Sequence, residues 1–168
     1  MQGKVASTEN SRKLDQLVKK VAKKINKEQS TTYFYEPGHV NNSSTIKLKE
    51  FIDHNLTSGQ MPDGGFWFDK PWSEEDRKCK YVFEAKFQGN SGNAIQRWAD
   101  GFAICLKLYP DVKYITFMSG TGCTSSGVLQ KHKEKYENLY GDKVVFYLKQ
   151  EGFTENDIYE KMMKHLRE

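Results

Sequence analysis

In the second half of the chain, apolar residues fall into short blocks of alternating type. The run 80–86 carries Tyr-Val-Phe at its centre, and 114–118 and 144–148 are nearly continuous in Val, Ile, Phe, Tyr and Met or Leu. Short apolar runs bounded by polar breakers predict strands, the latter two buried. Between them, 93–109 and 128–139 show the spacing of amphipathic helices, stopped by Pro110 and Gly141 respectively. Thr154 and Asp157 form a capping-box pair that opens a last helix carrying Ile158, Met162 and Leu166. Upstream, 65–68 predicts a strand joined to 80–86 through the polar loop 71–78.

The first third of the chain has fewer such signals. Leu14, Leu17, Val18, Val21 and Ile25 recur at helical spacing, which predicts a helix over 11–28 after a frayed polar tail at 1–10. Residues 29–43 are rich in Ser, Thr, Asn, Pro and Gly and read as a loop, and 44–55 predicts a second helix with Ile46, Leu48, Phe51 and Ile52. After residue 60 the order is strand, strand, helix, strand, helix, strand, helix. That order predicts an α/β fold, a sheet flanked by helices, in a single domain over 1–168.

Composition narrows the functional classes. No run approaches the roughly 18–20 apolar residues of a membrane span, and the Lys-rich start lacks an apolar leader segment, so a soluble cytoplasmic protein is expected. Cys79, Cys105 and Cys123 are odd in number and far apart, and the four histidines stand alone, which argues against a disulfide framework or zinc site. The net charge of +4 permits a polyanionic partner without requiring one. Lysines 13, 19, 20, 23, 24 and 27 give the first helix a basic face, suited to phosphate contact or simply to solvation.

Candidate chemistry begins with two charges on the stretch Tyr81–Lys86, which is otherwise apolar. Glu84 and Lys86 are two residues apart, so they share one face of strand 80–86. Asp63 lies immediately before strand 65–68. Two carboxylates can hold a hard cation such as Mg²⁺, and a neighbouring lysine can orient a water and stabilise charge on phosphorus. The plainer reading is a strand-end ion pair between Glu84 and Lys86, with Asp63 capping a turn. On the helix after this strand, Asn93, Gln96, Arg97 and Asp100 fall opposite the core-facing Ile95, Trp98, Phe102 and Leu106. Arg, Asn and Gln near a helix N-terminus suit base edges and phosphates, and an ordinary amphipathic helix capped by Asn93 is the alternative.

Three stretches together resemble the EcoRI-type branch of the PD-(D/E)xK restriction endonucleases: Pro62-Asp63-Gly64-Gly65, then Glu84-Ala85-Lys86 with Gln88-Gly89, then Gly92-Asn93-Ala94-Ile95-Gln96-Arg97. The match is close over 61–98 and looser through 114–118. The resemblance implies a restriction-endonuclease-like mixed β-sheet flanked by α-helices. It implies Mg²⁺ held by Asp63, Glu84 and the Ala85 carbonyl, with Lys86 as the catalytic lysine. Gln88, Asn93, Ala94, Gln96 and Arg97 would contact DNA. The implied activity is that of a homodimeric type II enzyme cutting double-stranded DNA at a palindrome with central A·T pairs, leaving 5′-phosphate ends. A cognate DNA methyltransferase is expected beside it in the cell.

The sequence departs from the family pattern twice. Gln96 stands where the family has an acid, and only residues 87–91 separate the lysine from the reading helix, where relatives carry an insertion. A short or less strictly read site, centred on AATT, is therefore expected. The Gly120–Gly127 stretch resembles a nucleotide-binding loop but lacks Gly-Lys-Ser/Thr, and contact with a DNA backbone fits it better. Cys123 has no identifiable base to make it a nucleophile. Glu50 is either a further carboxylate for the metal or a solvated surface residue. Two other classes fit the same residues: a repair or junction-resolving nuclease that reads DNA shape, and a DNA-binding module without activity.

Overall fold

The computed structural model describes residues 2–29, 33–37, 39–40, 43–44, 62–68, 79–89, 94–108, 110–123 and 128–168. Helix α1 spans Gln2–Glu28, followed by β1 (Tyr33–Pro37) and the small pair β2 (His39–Val40) and β3 (Ser43–Ser44). Then come β4 (Gly64–Phe68), β5 (Cys79–Phe87), α2 (Ala94–Leu108), β6 (Lys113–Ser119), α3 (Val128–Tyr140), β7 (Val144–Lys149) and α4 (Glu155–Arg167). Five strands form one mixed sheet in the order β1-β4-β5-β6-β7. The β1–β4 and β4–β5 pairs are antiparallel, while β5–β6 and β6–β7 are parallel. The α/β expectation holds: parallel neighbours need a crossover, and α2 and α3 supply the two crossovers.

Each face of the sheet is covered by a helix layer, which is why the centre of β6 and Tyr81-Val82-Phe83 of β5 read as apolar runs. On one face, Leu14, Val18, Val21, Ala22 and Ile25 of α1 and Ile158, Met162, Met163 and Leu166 of α4 pack on Phe66, Tyr81, Phe83, Ala85, Ile115 and Phe117. On the other, Trp98, Phe102 and Cys105 of α2 and Leu129 of α3 pack on Trp67, Val82, Tyr114, Met118, Val144 and Phe146. The core position of Trp98 is fixed by a bond as well as by packing. Its indole N–H donates to Thr116 Oγ1 at 2.6 Å, so the aromatic is buried without an orphaned donor. The capping box at Thr154 and Asp157 is present in both directions and starts α4 as the sequence predicts.

Two expectations change. The first helix begins at Gln2, so residues 2–10, read as a frayed tail, form its opening turns. Strand β1 lies inside the segment read as a loop. It is the edge strand of the sheet, where Pro37 costs no ladder bond that a central strand would need. Ser44 belongs to β3, and the rest of the helix predicted over 44–55, with Glu50, lies outside the described residues. None of the described helices is long and apolar enough to cross a membrane.

Candidate active site

The β4–β5 hairpin brings the first two acids together. Its last antiparallel rung pairs Gly64 with Phe83, and one further step along the chain sets Asp63 beside Glu84. There the Asp63 side chain takes over from the backbone: Oδ2 accepts the Ala85 N–H at 2.6 Å. This bond reaches across the hairpin rather than capping a local turn, and in satisfying the Ala85 N–H it also fixes where the carboxylate points.

Glu84 is only 1% exposed, and both its oxygens are engaged. Oε1 meets the Lys86 ammonium at 2.6 Å, and Oε2 accepts from the Tyr114 hydroxyl on β6. The ion pair foreseen between Glu84 and Lys86 is therefore present, on the face both residues share. Burial, the larger effect, pushes the Glu84 carboxyl up to about 7, helped by the charge of Asp63 and opposed by Lys86. The Tyr114 hydroxyl is raised in turn, first by burial and then by Glu84.

A third acid, Asp15, comes from α1. Burial pushes its carboxyl up to about 7, with the Asp63 charge next in weight and Lys19 and Lys86 opposing. Asp63 is raised too, chiefly by burial, with the Ala85 N–H, Lys86 and Lys19 opposing, and its titration is linked to that of Asp15. Tyr35 on β1 adds a hydroxyl beside Asp63, raised by burial and by that charge. Among the described residues this buried hydroxyl has no hydrogen-bond partner. Asp15 was not singled out from the sequence, yet a signal is there. It is the one acid in 11–27, a stretch whose other charges are all basic.

Glu84 is buried and Asp15 and Asp63 are half-buried; all three carboxylates feel the Lys86 charge, and Asp15 and Asp63 that of Lys19 as well. Such a surplus of negative charge suits a hard cation. Among the described residues, however, no three His, Cys, Asp or Glu side chains are gathered as a ready coordination shell. Ligation by Asp63 and Glu84 would need completion by a backbone carbonyl, such as that of Ala85, and by water.

The remaining sequence candidates lie on and around the start of α2. Gln96 and Arg97 are exposed on its first turns, Ala94 is half-buried, and Gln96 Nε2 donates to Asp100 Oδ1 at 3.1 Å. Asn93 lies outside the described residues. Gln88 is buried between β5 and α2 rather than exposed. Part of the basic face of α1 is used within the fold: Lys20 pairs with Glu155 at 3.1 Å and Lys24 lies over the Tyr159 ring. Cys105 is buried and free, its thiol pushed up to about 12 by burial, which keeps it inert. In comparisons with protein-family models, with curated proteins and with solved structures, no match to this chain was found.

Proposed function

We propose that the protein is a Mg²⁺-dependent endonuclease of the restriction-endonuclease-like fold that hydrolyses double-stranded DNA. The observation that carries this reading is the convergence of Asp63, Glu84 and Lys86 at one end of the β4–β5 hairpin, with Asp15 joining from α1. A buried cluster with more carboxylates than cations is costly for a purely structural site, because each charge loses hydration. It is expected where a divalent cation and a phosphate are to be handled together.

In this proposal Asp63 and Glu84 hold Mg²⁺ with the Ala85 carbonyl. When bound, the ion polarises a phosphoryl oxygen and lowers the pKa of a coordinated water. Lys86, with a side chain 16% exposed, keeps its ammonium against Glu84 and within reach of a phosphate entering from solvent. From there it orients the attacking water and offsets the charge that grows on the phosphorane. Tyr114 holds the second oxygen of Glu84 in place. The exposed Gln96 and Arg97, with Ala94, form the reading edge of α2 and select central A·T pairs, and Asn93 is assigned to the same role from the sequence motif. The protein acts as a homodimer on a palindrome, alongside a methyltransferase that protects host DNA.

Cut-site mapping on a random-sequence duplex library with Mg²⁺ tests the proposal. Cuts leaving 5′-phosphates within a short consensus centred on A·T pairs are expected. Cutting of branched DNA alone would favour a junction-resolving enzyme, and binding without cutting would overturn catalysis altogether.

A further inference from the structure

The resemblance puts Gln88 at the DNA, but its side chain is spent inside the protein. Oε1 accepts the Ala94 N–H at 3.1 Å, capping the start of α2, and Nε2 donates to Gly89 O at 3.1 Å. Its backbone is fixed as firmly. Gln88 N donates to Ser119 O at the end of β6 at 2.8 Å, and Gln88 O accepts from Gly122 N at 3.0 Å. One residue thus joins the end of β5, the end of β6 and the first turn of α2.

The glycine-rich turn after β6 is shaped around the same residue. Gly120 has φ +108°, a conformation that side-chain-bearing residues rarely adopt, and a Cβ there would collide with the Gln88 carbonyl. A Cβ on Gly122 would collide with the Gln88 side chain and would lie 2.8 Å from Gly89 O. These glycines are explained by close packing on Gln88, with no nucleotide required.

We infer that Gln88 is a positioning residue, which locks the α2 N-terminus, and with it Gln96 and Arg97, in register with Glu84 and Lys86, four and two residues upstream. The inference rests on the nuclease reading and adds how reading and cutting are coupled. A helix start displaced by an ångström misplaces the scissile phosphate, and such misplacement costs rate more than affinity.

The test compares wild type, Gln88→Ala and Gln88→Glu on a duplex carrying the mapped site, by single-turnover cleavage with Mg²⁺, duplex affinity, and amide exchange at Ala94. Glu keeps the acceptor for the Ala94 N–H, whereas Ala removes it. Gln88→Ala should cut on the order of 10- to 100-fold more slowly at nearly unchanged affinity. Its Ala94 amide should exchange on the order of fivefold faster. Gln88→Glu should recover most of the rate and all of the protection. If Gln88 touched DNA directly, the added carboxylate would repel phosphate, and Gln88→Glu would bind more weakly than Gln88→Ala; that order overturns the inference. Equal cutting by wild type and Gln88→Ala also overturns it while leaving the nuclease reading intact. A wild type that cuts nothing removes both.

Discussion

Replacing Asp15 by Asn should make the metal-free protein more stable at alkaline pH. The carboxyl ordinarily titrates near 3.8 and here near about 7, because it is buried and shares its surroundings with Asp63 and Glu84. Below pH 4 it is protonated in both the folded and unfolded chains and costs nothing. As pH rises from about 4 to 7 the unfolded chain releases the proton first, so folding stability falls, and above 7 the full cost stands. At 1.36 kcal/mol per pH unit, the separation of about 3 units sets a ceiling of roughly 4 kcal/mol. Residual solvent access and the mutual influence of Asp15 and Asp63 lower the expected gain to about 1–3 kcal/mol at pH 8. Urea unfolding of both proteins in EDTA at pH 4 and pH 8 measures it. The Asn variant should be more stable at pH 8, with little difference at pH 4, and its stability should fall less steeply between them. Some slope will remain, because Glu84 titrates in the same window with the same sign. An Asn variant less stable than wild type at pH 8, or a gain equal at both pH values, would refute the reasoning. Under the nuclease reading the stabilised variant should also cut DNA more slowly, a trade common at active sites.

Three further outcomes are expected. Tyr114→Phe removes the donor to Glu84 Oε2 and should cost about 1–3 kcal/mol above pH 7, where Glu84 is ionised, and less near pH 5; the same unfolding series measures it. Trp98→Ala deletes a fully buried ring, 4.3 Å from Phe146 and 4.8 Å from Tyr136 between centroids, and strands the Thr116 hydroxyl. It should cost about 3–5 kcal/mol by chemical denaturation at an unchanged m-value. Arg97→Ala should weaken binding to the mapped site by about 1–3 kcal/mol and relax the sequence preference at one base pair, as read by competition with single-base variants of the duplex.

Much of the fold could be read from the chain because burial leaves a direct mark on strands and helices. β5, β6 and β7 lie between helices, so apolar residues point to both faces along Tyr81–Phe83, Tyr114–Met118 and Val144–Leu148, and Thr154 with Asp157 announces α4 in four residues. β1 escaped notice because Ser, Thr, Asn, Pro and Gly around it carry loop signals. The aromatic run Tyr33-Phe34-Tyr35 was its only strand mark, and an edge strand tolerates Pro37. Residues 2–10 lack an apolar stripe, so nothing in them distinguishes a solvated helical start from a tail. At the site, Asp63, Glu84 and Lys86 sit on adjacent strands, and their proximity follows from hairpin register. Asp15 is 48 residues from Asp63 in sequence, and its approach depends on how α1 packs against the sheet. Gln88 shows the converse. A motif marked it as important, but the bonds it makes to Ala94 and Gly89 depend on packing that the sequence does not display.

Incubating the full chain with plasmid DNA in Mg²⁺, beside parallel reactions in EDTA and with Glu84→Ala, tests most directly whether Asp63, Glu84 and Lys86 cut phosphodiester bonds. Discrete fragments should form with wild type and Mg²⁺, and neither EDTA nor Glu84→Ala should allow them, while Glu84→Ala still retards the DNA on a gel. Cutting by Glu84→Ala at the wild-type rate, or cutting by wild type that persists in EDTA, would contradict a cation-dependent centre built on these residues.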